Sequence, residues 1–263
     1  MIKLVATDID GTILIPEGNF TNEVKDCVKK LCEQGIKVVL VTGRMNAAAI
    51  KIAEDLGLNT PVVSYQGGLV VYNGQKLYER CLTEAQAIKV LDWAKSENIH
   101  INLYNDDVLY SETECYEVQR YCNNLHTEHV VKPFCKIKKT KINKLLAIDY
   151  SNPERINKYE KELPKLFPDL YIVKSTPYFL EFSNPEASKK CAVEFLQQYW
   201  GLKKEEILTI GDQNNDIALL QAGGIKVAMG NATEELKNIA DYVTDSVFEN
   251  GFVSAINKFC KFL

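Results

Sequence analysis

The chain has 263 residues, with 31 Lys and Arg against 35 Asp and Glu, a formal net charge of −4. With 46% apolar and 25% charged residues, it is neither disordered nor collagenous nor a coiled coil. No apolar run approaches the ~20 residues of a bilayer span, Asp8 and Asp10 interrupt the stretch where a signal peptide would be apolar, and a mildly acidic chain is a poor general binder of nucleic acid; a cytoplasmic protein with neither membrane nor nucleic-acid partner is expected.

Strand-like and helix-like segments alternate from the start. Ile2 to Thr7 is a nearly continuous apolar run, as expected of a parallel strand buried on both faces. Thr21 reads as an N-cap, Val24, Val28 and Leu31 follow at helical spacing, and Gly35 closes the helix. Lys37 to Val41 is a second strand, Ala47 to Leu56 a helix ended by Gly57, and Val62 to Tyr65 a third strand. Asn73-Gly74 between β-prone residues predicts a hairpin across 69–78 with a type I′ turn.

The middle of the chain has a different rhythm. Helix is predicted at 84–97, 113–123 and 154–167, and strand at 99–104, 107–110, 144–150, 170–174 and 178–183. Strands paired across short turns point to an antiparallel or mixed sheet. After Asn184-Pro185 strict alternation returns: helix 188–200, strand 206–210, helix 215–222, strand 225–228, helix 232–239, strand 241–243 and helix 251–262. The fold class is therefore α/β, with a doubly wound parallel-sheet core built from both ends of the chain (1–82 and 187–263) and a smaller α/β domain, 83–186, inserted between them.

The residues suited to chemistry fall where the predicted core strands end, the edge at which open parallel sheets bind ligands. Asp8 and Asp10 leave the first strand two residues apart and so project to one side, bringing two carboxyl groups toward one centre, where like charges keep one of them available as an acid. Gly11 allows a sharp backbone turn there and Thr12 adds a hydroxyl. Thr42-Gly43, closing the second strand, offers a hydroxyl and a glycine N–H to an anion. Gly211-Asp212-Gln213-Asn214-Asn215-Asp216 follows the apolar strand Ile207 to Ile210 and carries oxygen ligands suited to a hard cation such as Mg²⁺. Lys189, on the first turn of the helix after the insert, could balance the charge of a phosphate. Read one at a time, these are an Asp-Gly turn, a common α/β loop, a helix-capping run and a solvated lysine. Their joint placement is far more specific. No Gly-x-Gly-x-x-Gly, P-loop, Gly-x-Ser-x-Gly, His-Glu-x-x-His or EF-hand pattern competes.

Elsewhere the signals are bland. Eight cysteines, none in a Cys-x-x-Cys pair, read as reduced thiols, and His126 and His129 as a solvated turn with no partner at ligand spacing. Lys132, Lys136, Lys138, Lys139, Lys141 and Lys144 read as a solvated run, one or two of which could reach an anionic substrate.

Asp8-Ile9-Asp10-Gly11-Thr12, Thr42-Gly43-Arg44, Lys189, Gly211-Asp212 with Asn215-Asp216, and the run Val227 to Ala232 with Ala240-Asp241 resemble the haloacid dehalogenase superfamily. Within it, the chain is similar over essentially its whole length to Cof-like phosphatases with a large inserted α/β cap on a Rossmann-like core. The resemblance implies that Asp8 is a nucleophile forming a phosphoaspartate and Asp10 the general acid and base. It implies Mg²⁺ at Asp8, the backbone carbonyl of Asp10, and Asp212, with Asp216 in support. Thr42, the backbone of Ile9 and Gly43, Lys189 and Asn215 would hold the phosphoryl oxygens.

Two positions depart from the family pattern. Lys190 replaces the usual Gly after the motif lysine, which leaves Lys189 or Lys190 to face the phosphate. Gln66-Gly67-Gly68 stands where Asn-Gly-Ala is common. The expected function is Mg²⁺-dependent hydrolysis of a small phosphorylated metabolite, a sugar phosphate or similar, with a phosphotransferase or mutase, or a weakly catalytic sensor, as alternatives. Tyr104, Asn105, Asp106, Asp107, Tyr178 and Glu181 are the candidates for specificity, as residues expected at strand ends and turns of the inserted domain.

Overall fold

The computed structural model describes residues 1–15, 18–138 and 140–260. The chain divides into two compact units, Met1–Glu79 with Ser188–Leu263, and Arg80–Ala187. The first unit begins with β1 (Leu4–Thr7), α1 (Asn22–Glu33), β2 (Lys37–Leu40), α2 (Asn46–Asp55), β3 (Val62–Ser64), β4 (Leu69–Tyr72) and β5 (Gln75–Glu79). The second holds α3 (Glu84–Ser96), β6 (His100–Asn105), β7 (Val108–Ser111), α4 (Tyr116–Leu125), β8 (Val130–Val131), β9 (Ile142–Ile148), α5 (Pro153–Leu166), β10 (Tyr171–Thr176) and β11 (Phe179–Ser183). The first unit resumes with α6 (Lys189–Tyr199), β12 (Ile207–Gly211), α7 (Asp216–Ala222), β13 (Ile225–Ala228), α8 (Glu234–Lys237), β14 (Tyr242–Val243) and α9 (Gly251–Phe259).

The main sheet of the first unit runs β14-β13-β12-β1-β2, parallel throughout. Its central strands alternate between two apolar cores. Val5, Val38, Leu40, Leu208 and Ile210 join the core that also takes residues of α1 and α9. Leu4, Ala6, Val39 and Ile207 join the core of α6 and α7 on the other face. Covering both faces is what makes the strand sequences continuously apolar, and each fully buried Val, Leu or Ile contributes roughly 1.5–3 kcal/mol. Thr21 caps α1, its hydroxyl accepting from the Val24 N–H at 3.2 Å. The third predicted strand does not extend this sheet. β3 pairs antiparallel with β4, and β4 with β5, in a separate three-stranded sheet joined to the core by a single bridge, Val41 to Val63. The hairpin turn explains this choice: Asn73 (φ 49°) and Gly74 (φ 74°) adopt the I′ geometry and supply β3 with a ready partner.

In the second unit a six-stranded sheet runs β10-β11-β9-β6-β7-β8, antiparallel except for β7–β8. Ile101, Leu103, Leu145, Ala147, Leu180 and Phe182 pack one face against α3 and α5. The opposite face buries polar groups. Lys144 and Glu181 pair at 2.7 Å, both under 5% exposed, and the Tyr104 hydroxyl donates to that of Tyr121 on α4 at 2.7 Å. Tyr104 and Glu181 are thus interior sheet residues rather than turn residues, whereas Asp106 and Asp107 form the β6–β7 turn at φ 50° and 65°.

Among the predicted lysines, Lys144 is buried, Lys141 pairs with Asp106, and Lys139 lies outside the described residues. His129 has partners that sequence spacing hid: Glu114 Oε2 at 2.9 Å and the Cys122 sulfur at 3.5 Å. Three other details differ from the sequence reading. β8 has two residues, too few for periodicity to register. The helix expected at 232–239 shortens to α8: Thr233 caps its start, its hydroxyl accepting from Leu236 N–H, and at its end the N–H groups of Ile239 and Ala240 turn to the carbonyls three residues back, Leu236 O and Lys237 O. The last helix ends at Phe259, and 261–262 lie outside the described residues.

Candidate active site

The site is built at the C-terminal ends of adjacent strands. β1 and β12 pair with Thr7 opposite Ile210, and the Asp8 N–H donates to Ile210 O at 3.0 Å. Asp8 therefore leaves the sheet beside Asp212, which follows β12. Asp216, on the first turn of α7, completes the group: Asp8, Asp212 and Asp216, all buried, each offer a carboxylate oxygen within 4.8 Å of the others. Among the described residues this is the sole such cluster of His, Cys, Asp and Glu.

Two glycines make the approach possible. A Cβ on Gly11 would stand 2.4 Å from Asp212 Oδ2, and its φ of +78° is costly for other residues. A Cβ on Gly211 would stand 2.5 Å from Asp216 Cγ.

Lys189 answers the negative charge. It is fully buried, and its ammonium lies 2.6 Å from both Asp8 Oδ1 and Asp216 Oδ1. Lys190 is half-buried, its side chain 42% exposed and pointing to Glu194, so Lys189 is the inward-facing lysine. Burial alone would depress the Lys189 pKa; the charges of Asp216 and Asp8 override it and carry the pKa above the ordinary lysine value. The carboxylates shift the other way from their usual behaviour in ion pairs. Burial, and then the charge of Asp216, push Asp8 well up despite Lys189. The same two causes raise Asp212 to about 7, opposed by hydrogen bonds from Gln213 and Thr12. One ammonium is too little charge for three buried carboxylates.

A divalent cation fits this deficit. Three carboxylates and one ammonium sum to −2, and the donors are hard oxygens suited to Mg²⁺. The carboxylates are not equally available to it. Asp216 is fully engaged: Oδ1 meets Lys189, and Oδ2 accepts from the Asp212 and Gln213 N–H groups at 2.9 and 3.0 Å. Asp8 retains Oδ2. Asp212 is oriented by Thr12 (3.0 Å) and Gln213 (3.1 Å), with lone pairs to spare. Asp10 stands apart. Its carboxylate is half exposed, lies outside the 4.8 Å group, and is gripped by Arg44.

The remaining predicted residues surround the carboxylates through the chain's own bonding. Ile9 is buried, its carbonyl accepting from the N–H groups of Thr12, Ile13 and Leu14 and so fixing the turn after Asp8. Thr42 is buried at the end of β2, its Oγ1 accepting from Arg44 N–H at 3.1 Å, with Gly43 between them. Asn215, 7% exposed, donates from Nδ2 to Gln66 Oε1 at 3.1 Å, leaving Oδ1 buried without a protein hydrogen bond. Gln66, buried at φ 58°, is held there by the turn after β3. Asn231, within the run Val227 to Ala232, staples the turn after Asp8: Nδ2 donates to Gly11 O and Oδ1 accepts from Val247 N–H. The Arg44 grip on Asp10 and the Gln213 bond to Asp212 carried no sequence signal, since both are partnerships between loops distant in the chain or between neighbours whose rotamers the loop decides.

The profile of the haloacid dehalogenase-like hydrolases matches residues 5–256. The chain belongs to this family. It is 33% identical to a phosphoglycolate phosphatase of Saccharolobus solfataricus over 99% of this chain and 97% of that one. It is 28% identical to a 5-amino-6-(5-phospho-D-ribitylamino)uracil phosphatase of Bacillus subtilis, over 98% of both. A crystal structure from Thermotoga maritima superposes with a TM-score of 0.82 at 29% identity, over 99% of this chain and 98% of that one. The protein is accordingly a haloacid dehalogenase-like hydrolase, similar to proteins named phosphatases. No helix of the described residues is long and apolar enough to cross a membrane.

Proposed function

We propose that the protein is a Mg²⁺-dependent phosphatase that hydrolyses a small phosphorylated metabolite through a phosphoaspartate on Asp8. The observation that carries this reading is the buried group of Asp8, Asp212 and Asp216 around a single ammonium, Lys189, at the C-terminal edge of a parallel sheet. Family membership supports it, and the names of the two relatives support a small phosphorylated substrate. Asp8 Oδ2, Asp212 and the Asp10 carbonyl would hold the metal, which would offset the charge between an anionic attacker and a phosphate dianion.

The chain's own groups divide the remaining work. Lys189, 2.6 Å from Asp8 Oδ1, orients the Asp8 carboxylate so that this oxygen, the one not given to the metal, attacks phosphorus. As the phosphorus–oxygen bond to the leaving alcohol breaks, Asp10 gives that oxygen a proton. In the second half-reaction Asp10, now a carboxylate, takes a proton from water as the water attacks the phosphoaspartate; the phosphorus–oxygen bond to Asp8 breaks, phosphate leaves, and the Asp8 carboxylate and the protonated Asp10 are restored. Thr42, the backbone of Ile9 and Gly43, Lys189 and Asn215 hold the equatorial oxygens. The 80–187 unit is the cap domain of this reading.

Phosphate release from a panel of phosphorylated metabolites, measured with and without MgCl₂, tests the proposal. Turnover is expected to need Mg²⁺ and to vanish in Asp8→Asn, with circular dichroism unchanged. Retained turnover in that variant would assign the nucleophile elsewhere.

A further inference from the structure

The sequence motif Thr42-Gly43-Arg44 enters the mechanism above only through its first two residues. In the structure the third is the partner of Asp10. Arg44 Nε lies 2.8 Å from Asp10 Oδ2 and Nη2 lies 2.5 Å from Oδ1, a two-pronged grip that occupies both carboxylate oxygens. The two partners differ in freedom. The Arg44 side chain is 19% exposed and the Asp10 side chain 51%. The Arg44 backbone is pinned on both sides, its N–H donating to Thr42 Oγ1 and its carbonyl accepting from Tyr65 N–H. The guanidinium is thus the fixed member, and the half-exposed carboxylate is the member that it fixes.

Where the grip holds Asp10 also matters. Although Asp10 follows Asp8 by two residues, its carboxylate is outside the 4.8 Å group of Asp8, Asp212 and Asp216. An in-line displacement needs its proton donor beside the leaving oxygen, across phosphorus from the nucleophile. A carboxylate drawn into the cluster would be badly placed for that task. We propose that Arg44 is the positioning residue for Asp10: its fork holds the carboxylate away from the other three acids and toward the leaving-group side, and opens at one prong when the proton moves. The inference rests on the acid/base role given to Asp10 above. A lysine could match the charge but not the planar fork.

The test compares Arg44→Met, Arg44→Lys, Asp10→Asn and the double variant Arg44→Met/Asp10→Asn on two substrates: an alkyl phosphomonoester that the wild type turns over, and p-nitrophenyl phosphate, whose leaving group needs little protonation. A positioned general acid is worth about 10²–10⁴-fold, so Arg44→Met is expected to lower kcat on the alkyl ester by roughly 10- to 100-fold and on the nitrophenyl ester by less than about 3-fold, with KM nearly unchanged. Arg44→Lys recovers part of the loss. In the Asp10→Asn background, Arg44→Met costs nothing further. Equal losses on both substrates, a loss expressed in KM, or additive losses in the double variant would overturn the proposal and place Arg44 on the substrate itself. A wild type without phosphatase turnover, or an Asp8→Asn variant that retains it, would instead overturn the mechanism on which the proposal stands.

Discussion

Lys189→Met isolates the electrostatics of the site. Methionine nearly preserves the buried stem and deletes the ammonium that lies 2.6 Å from Asp8 and Asp216. The charge of the buried group, with all carboxylates ionised, falls from −2 to −3. Leaving one partner of a buried pair uncompensated costs about 3–5 kcal/mol, and at ~2–4 °C per kcal/mol the melting temperature should drop by roughly 6–20 °C. The sign of the pH dependence is fixed by the carboxylates. Asp8 and Asp212 have folded-state pKa values above their ordinary ones, Asp212 at about 7. Their protonated forms suit the folded protein, so the stability they contribute is present at low pH and lost as pH rises through those values. The Lys189→Met deficit should therefore be largest near pH 8 and shrink toward pH 5. Urea unfolding followed by circular dichroism in EDTA, for wild type, Lys189→Met and Lys189→Met/Asp216→Asn, measures it. The double variant should regain about half of the loss. A deficit at pH 8 below ~1 kcal/mol, or one independent of pH, would refute the assignment of Lys189 as the counter-ion of a charge-strained cluster.

The same cluster predicts that Mg²⁺ binding tightens as pH rises through about 7, where Asp212 gives up its proton; titration calorimetry in buffers of different ionisation enthalpy should detect the proton released. Without metal, Asp212→Asn should lose less stability than wild type between pH 5 and pH 8, as unfolding curves would record. Gly11→Ala should weaken Mg²⁺ by at least ~10-fold, through about 1–2 kcal/mol of left-handed strain and a Cβ set against the Asp212 carboxylate. Gly57→Ala, at φ +67° with open space around it, should cost similar stability and leave Mg²⁺ affinity alone. In the second unit, Lys144→Met should cost ~3–5 kcal/mol by stranding Glu181, while Lys144→Met/Glu181→Leu should come back close to wild type in the same unfolding assay.

The legible part of this protein is the part whose signal is local in the chain. Ile2 to Thr7 announces a strand buried on both faces, and each face does have its own core. Asn73-Gly74 announces its turn type. Thr21 announces a cap, and Thr21 Oγ1 accepts from Val24 N–H. Asp8, Asp212, Asp216 and Lys189 were found by their places at the ends of predicted elements, and the structure brings these four together. What stayed hidden depends on tertiary position. Nothing near Lys144 marks it as different from Lys141, yet one faces Glu181 inside a sheet and the other faces Asp106 at a turn. Tyr104 reads as a strand end because periodicity places strand ends only to within a residue or two. His129 finds Glu114 and Cys122 through folding, at sequence separations that no ligand spacing anticipates.

The distribution of the site along the chain adds a physical consequence. Asp8 and Lys189 are 181 residues apart, and Thr12 and Asp212 are 200 apart. The attractive contacts of the cluster therefore close some of the longest loops in the molecule, while its repulsions act as soon as β1 and β12 pair. The closure entropy grows only slowly with length, but nothing in the cluster can offset it before the sheet has formed. Apolar strands must do that first: Val5, Leu208 and Ile210 on one face, Leu4 and Ile207 on the other, each essentially without exposure. The acids are assembled by a framework that does not depend on them, so replacing one with its amide should perturb metal, substrate and proton binding far more than the fold. The lysine is the exception, since it alone offsets what the framework has forced together.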